Sequence, residues 1–287
     1  MWEIAHLQTG KPPNRGANGK IVLEEGMGLV FVLIPGGKFW MGAQKDDEHG
    51  HNFDPEARNE ESPVREVALS PYFISKYEMT QGQWERIAGH NPSYFGPSNY
   101  ATICNRDGKG WNALHPVEQI SWTECASLME RLGLSLPTEA QWEYACRAGT
   151  ESVYWSGNAK ELLFDVANVA DTYAKTHGGG NWPVPYEAWD DGNTVHGEIG
   201  TYRANAFGLH DVPGSVWEWC RDQYLGYQAS IHEGDGEREG TSAVGRAFRG
   251  GSFSDVATFA RSAMRTGSTP EHKDNSLGVR PARAIAP

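Results

Sequence analysis

Apolar positions along the chain change period several times, and each change marks an element. "MGLVFVLIPGGKFWMGA", from Met27, is a nearly continuous apolar run broken by Pro-Gly-Gly. It reads as two strands around a turn, the first of them buried. "REVALSPYFISKYEM" alternates as a strand does, then becomes helical at Thr80, an N-cap for a helix over Gln81 to Ile87. "HPVEQISWTECASLMERLG" repeats the design. Ser121 caps, Glu124 three residues on completes a capping box, and Gly133 ends the helix, with Leu128, Met129 and Leu132 at helical spacing toward a core. In "LSLPTEAQWEYACRAG" Thr138 caps, Gln141 closes the box, Trp142 and Ala145 face inward and Gly149 terminates.

Between these units the pattern dissolves. "QKDDEHGHNFDPEARNEESP" reads as a solvated acidic loop; its Asp46, Asp47, His49, His51 and Asp54 match no metal-ligand spacing. Residues 152–202 are irregular and rich in Gly, Asn, Asp and Trp, and a loop region that long inside a compact domain calls for something to order it, a bound cation being one such device. Short strands follow, in "GLHDVPGSVWEWCRDQY", "RAFRGGSFSD" and "NSLGVRPARA". Residues 1–25 read as a polar lead-in or linker and residues 26–287 as one α+β domain.

Composition narrows the function classes. A net charge of −12 argues against general nucleic-acid binding, which depends on Lys and Arg neutralising phosphates. No apolar run approaches the roughly 20 residues of a membrane span. The 34 glycines and 11 tryptophans suit a loop-heavy fold better than a helical bundle. No basic segment leads into an apolar one at the N-terminus, and Cys104, Cys125, Cys146 and Cys220 are scattered without a CxxC pair. Four reduced, mostly buried thiols in a cytoplasmic protein are expected.

Seven blocks, "VLIPGGKFWMG", "YFISKYEMTQGQW", "HPVEQISW", "LSLPTEAQWEYACRAG", "FGLHDVPGSVWEWCRD", "FRGGSF" and "NSLGVRPAR", stand in one order. In that order they resemble the formylglycine-generating enzyme (sulfatase-modifying factor) family, over residues 27 to 284. The resemblance implies a C-type-lectin-like fold of low regular secondary structure, with structural calcium (Ca2+). One implied calcium site takes the Asp211 and Glu218 side chains with the Gly214 and Val216 carbonyls. The other takes the Asn168 and Asp191 side chains with the Val169 and Asn193 carbonyls. Calcium requires six to eight oxygens of these kinds.

The family's enzymes oxidise a substrate cysteine with oxygen at a Cu(I) ion held by two thiolates, the soft ligands that select Cu(I). Where the resemblance places those cysteines this chain has Asp255 and Ala260, so no copper is expected. Ser252 and Trp217 match positions near the reactive centre. Arg261 and Arg265 match in spacing and read equally as ion-pair partners of buried carboxylates. A related iron-dependent branch needs a three-histidine site, for which no helical His-x-x-x-His-x-Glu segment is present.

Two functional readings follow. The first is a calcium-stabilised, non-catalytic module, part or partner of a bacterial regulatory or defence system, binding a protein or small ligand in a cleft near Gly251 to Arg265. The second is a metal-dependent oxidoreductase with non-cysteine chemistry, of the oxidative-maturation kind. Neither implies nucleic-acid or membrane binding.

Overall fold

The computed structural model describes residues 1–99, 108, 110–240 and 245–285; Cys104 lies outside them. In chain order the elements are β1 (Glu3–Ala5), β2 (Asn14–Arg15), β3 (Ile21–Val22), β4 (Val30–Ile34), β5 (Gly37–Met41), β6 (Arg65–Leu69), β7 (Tyr72–Ser75), α1 (Gln81–Ala88), α2 (Trp122–Arg131), α3 (Glu139–Arg147), α4 (Thr172–Thr176), β8 (Trp217–Gln223), β9 (Arg246–Arg249), β10 (Arg265–Ser268), β11 (Leu277–Gly278) and β12 (Ala282–Ala284). Helix occupies 17% and strand 22%, so most of the chain is loop.

All three expected helices form with the expected caps. Thr80, Ser121 and Thr138 each accept a hydrogen bond from the third backbone N–H of their helix, and the side chains of Gln83, Glu124 and Gln141 accept one from the backbone N–H of the cap. Each box satisfies two amides that the helix leaves orphaned, and losing such a cap costs about 0.5–2 kcal/mol. Leu128, Met129, Trp142 and Ala145 are buried.

Two four-stranded sheets carry the fold. One, in the order β1-β4-β7-β12, is antiparallel throughout and brings the two ends of the chain to its opposite edges. The other, β10-β9-β8-β11, is antiparallel except for the parallel β8/β11 pair. The strands flanking Pro-Gly-Gly do not pair with each other: β4 joins the first sheet and β5 pairs with β6 in a separate ribbon. The segment read as a lead-in is part of this architecture, since β1 pairs with β4 and β2 with β3. α3 packs between the sheets, its Trp142 and Cys146 sharing a core with Val32 and Ile34 of β4 and Cys220 of β8. Cys125, Cys146 and Cys220 are buried free thiols.

The acidic loop departs from its reading as fully solvated. Asp54 and Glu61, at its far end, are buried, and both bind Arg261. Arg261 Nη1 lies 2.6 Å from Asp54 Oδ2, and Nη2 lies 2.7 Å from Glu61 Oε1. The reason is charge: a guanidinium left alone in the interior is far costlier than one neutralised by two carboxylates. Arg265 bonds Glu139 at 2.8 and 2.5 Å, while Arg249 bonds Glu143. Glu139 and Glu143 stand one turn apart on α3, so a single helix face anchors the strands before and after the Gly-Gly loop.

Removing one partner from such a cluster strands the others. Arg261→Met leaves Asp54 and Glu61 buried without a cation, and a loss of about 3–5 kcal/mol is expected in urea denaturation. Adding Asp54→Asn and Glu61→Gln to that variant should recover part of the loss, because no unpaired charge then remains.

Candidate functional site

The loop from Arg249 to Arg265 begins with two glycines at left-handed φ, 108° at Gly250 and 75° at Gly251. A Cβ on Gly251 would lie 2.8 Å from the Phe259 carbonyl oxygen, so both the dihedral and the space demand glycine here. This close return turns the chain out of β9 and lays residues 252–255 against the start of β8. Ser215 O accepts from Phe253 N at 2.9 Å, and Asp255 O accepts from Ala170 N at 2.8 Å.

Three of the expected cleft residues meet here. Asp255 Oδ2 accepts from Ser252 Oγ at 2.6 Å and from Trp217 Nε1 at 2.8 Å. The Trp217 ring stands edge-on to Phe248, 5.3 Å between centroids. Burial pushes the Asp255 carboxyl above its ordinary range; the bonds from Ser252 and Trp217 oppose that shift, and nearby Asp274 adds to it. The arrangement joins a mostly desolvated carboxyl group to a buried hydroxyl and an indole N–H that both donate to it, and only the carboxyl can exchange a proton near neutral pH.

Arg261 and Arg265 are not part of that point. Both are 1% exposed and turn into the Asp54/Glu61 and Glu139 ion pairs, which is their structural reading. Ala260 is buried in an apolar cluster with Tyr154, Leu163 and Val169. The described cysteines lie on α2, α3 and β8, none of them in this loop.

The residues of the first implied calcium site are close together but committed elsewhere. Glu218 receives Arg280 Nε on both oxygens, at 2.9 and 3.0 Å, and Trp142 Nε1 on Oε2 at 2.6 Å. Asp211 accepts from the backbone N–H groups of Gly200 and Tyr202, at 2.5 and 3.2 Å, and burial pushes its carboxyl to about 6. Gly214 lies against Asn168, where a Cβ would stand 2.3 Å from the Asn168 carbonyl oxygen. Val216 is buried beside Phe253. Glu78, which the sequence did not single out, is buried in this group; burial, and then the charge of Asp211, push its carboxyl well up, with Glu218 adding to the shift and Arg280 opposing it. Neither of its oxygens accepts a well-formed hydrogen bond among the described residues.

The second implied site is assembled differently. Asp191 Oδ2 accepts from Val169 N at 3.1 Å and Oδ1 from Asn193 N at 3.0 Å, so the four named residues converge. Asn168 donates to Val195 O at 2.9 Å. Asp171, the N-cap of α4, accepts from the Asp191 amide at 2.5 Å. Burial, and then the charge of Asp171, push the Asp191 carboxyl well up. No group of three His, Cys, Asp or Glu side chains among the described residues is arranged to hold a metal alone, so a cation here would also draw on amide and backbone oxygens.

These features define a loop-rich α+β protein of C-type-lectin-like fold. Residues 24–285 match the sulfatase-modifying factor enzyme 1-like domain, and the chain belongs to that formylglycine-generating enzyme family. It is 28% identical to the Formylglycine-generating enzyme of Streptomyces coelicolor, over 87% of each chain. It is 26% identical to the Inactive C-alpha-formylglycine-generating enzyme 2 of Bos taurus, covering 90% of this chain and 89% of that one. The solved structure of PvdO from Pseudomonas aeruginosa superposes with a TM-score of 0.69 at 21% identity, covering 92% of this chain and 96% of that one. None of the described helices is long and apolar enough to cross a membrane.

Asp255 supplies a direct test of this geometry. An aspartate whose folded pKa is raised holds its proton longer when folded, so its ionisation lowers stability as pH rises through the carboxylate range. Asp255→Asn keeps an oxygen for Ser252 and Trp217 and removes that charge. The variant should be more stable than the parent at pH 7, with the difference vanishing below about pH 4, where unfolded aspartate also protonates. Thermal melts across pH read it out.

Proposed function

We propose that this chain is a calcium-stabilised binding module of the formylglycine-generating enzyme family, without the family's copper oxidation chemistry, that engages a protein or small ligand at the Asp255 cleft. One observation carries the reading: the loop that would present two thiolates presents Asp255, tied to Ser252 and Trp217, and Ala260, sealed in an apolar cluster. Neither side chain supplies the soft sulfur donor that Cu(I) takes. A role as part or partner of a bacterial regulatory or defence system suits a fold kept without that chemistry.

Calcium is assigned to Asn168, Val169, Asp191 and Asn193. There two buried carboxylates, Asp171 and Asp191, repel one another, and a cation relieves the repulsion. At Asp211 and Glu218, Arg280 already supplies a positive charge, and the buried Glu78, whose oxygens lack a well-formed hydrogen bond among the described residues, is what still favours a cation there.

A second reading, a metal-dependent oxidoreductase using non-cysteine chemistry, is favoured by the raised Asp255 carboxyl, the property expected of a proton-transferring group.

Metal analysis of the protein purified without chelator separates the two. Bound calcium, with neither copper nor iron and no oxygen consumption on cysteine peptides, is the expected result; stoichiometric copper or iron sinks the binding-module reading. Calcium at a hundredfold its Kd should stabilise the fold by about 2.7 kcal/mol. Asp191→Asn should abolish most of that gain, whereas a gain that survives in Asp191→Asn and disappears in Glu218→Gln would move the ion to the other site.

A further inference from the structure

A cavity of about 680 Å³ opens between the N-terminal hairpin and the Gly200–His210 loop, and Asp255, Ser252 and Trp217 are not among its lining residues. Its hairpin wall, Arg15 to Leu23, lies before residue 24, where the family match begins. The cavity is thus built partly by residues outside the shared domain.

Its charge is opposite to that of the whole protein, whose net charge is −12. Arg15, Lys20, Lys76 and Arg203 line it against the single carboxylate of Glu3. Glu3 binds Arg15 at 2.5 Å and Lys76 at 2.8 Å, and so clamps two cations at one wall. Arg203 is paired with Asp165 at 3.0 Å. Lys20 makes no ion pair among the described residues. Counting Arg15, Lys20 and Lys76 against Glu3, the wall carries two uncompensated positive charges. Cations gathered in a concave, partly desolvated surface focus a positive potential into it.

The remaining lining is apolar and aromatic. Ile21 and Leu23 flank the Tyr77 ring, which packs against the His210 ring at 5.2 Å. His210 Nδ1 donates to Tyr202 O at 2.7 Å, which leaves Nε2 as the ring's other polar atom.

We propose that this cavity binds a small organic phosphate, its dianionic head between Lys20, Lys76 and Arg15 and its apolar part against Tyr77, Ile21 and Leu23. The two excess charges match a phosphate monoester, which carries about −1.5 to −2 at pH 7, better than a monocarboxylate. The volume falls within the roughly 300–1,000 Å³ of small-molecule sites, ample for more than the phosphate head.

Isothermal titration calorimetry on the full chain at low salt tests this with phenyl phosphate, inorganic phosphate and benzoate. Saturable phenyl phosphate binding is expected, at least tenfold tighter than either other probe and weakened by salt. Lys20→Glu, an exposed change whose thermal melt should match the parent's, should weaken it at least tenfold, while Asp255→Asn should leave it unchanged. Absence of saturable phenyl phosphate binding at millimolar concentration overturns the site. Equal binding of benzoate overturns the phosphate assignment. Equal binding of inorganic phosphate removes the apolar subsite, and undiminished binding to Lys20→Glu places the ligand elsewhere.

Discussion

The fold depends on guanidinium groups buried among loops. A protein with this little helix and strand must satisfy many interior carbonyls without a ladder to do it. Arginine answers that need because its planar fork binds a carboxylate and still has N–H groups to spare. Arg265 joins Glu139 to the carbonyls of Glu60 and Leu225. Arg249 joins Glu143 to those of Ser262 and Ala263. Arg280 joins Glu218 to those of Ser75, His210 and Asp211. Each is a junction where separate stretches of chain are held by one side chain. A hydrophobic replacement of equal volume could match the burial but would leave those carbonyls unpaired, which is why apolar packing does not substitute freely here.

The same junctions give the Asp255 site its rigidity. The loop carrying Ser252 and Asp255 leaves β9 beside Arg249 and re-enters β10 at Arg265, and both arginines are fixed to α3. Arg261 ties its middle to the acidic loop. The loop's inner side is therefore bound at three points, while Ser252, Asp255 and Trp217 bond to one another. Side chains on such a frame can differ in chemistry without disturbing the fold.

What was legible in the sequence was mostly local. The three helices and their caps depend on residues three apart, and they were placed within a residue or two. The ordered blocks carried the fold class; of the five cleft candidates, Ser252, Trp217 and Asp255 share one hydrogen-bonded group, while Arg261 and Arg265 turn into buried ion pairs. Pairings across the chain were not legible: Arg261 meets Asp54 from 207 residues away and Arg265 meets Glu139 from 126. One signal was available. Glu139 and Glu143 share the helical stripe of Trp142 and Cys146, and charges on an inward face demand buried partners. The separation of β4 from β5 had no such mark, because continuous apolar strands fit more than one neighbour. Glu78 and Asp171 were missed because a single acid beside a helix start reads as an ordinary cap.

The two buried acidic groups pose one electrostatic problem and meet it differently. Around Glu218 the chain supplies Arg280, which bonds both carboxylate oxygens and leaves the buried Glu78 as the weak point of the arrangement. Around Asp191 the nearest help is from backbone N–H groups, which stabilise an anion but carry no full charge. Like carboxylates that close cannot both stay ionised in a dry interior unless a proton or a cation joins them. A proton would settle the charge but turn one carboxylate oxygen into a donor among amides that also donate. A cation would keep every acceptor in use, and it would tie Asn168 to Asp191 across an irregular stretch with little secondary structure of its own. That is the physical reason to assign calcium to this group before the one that Arg280 already serves.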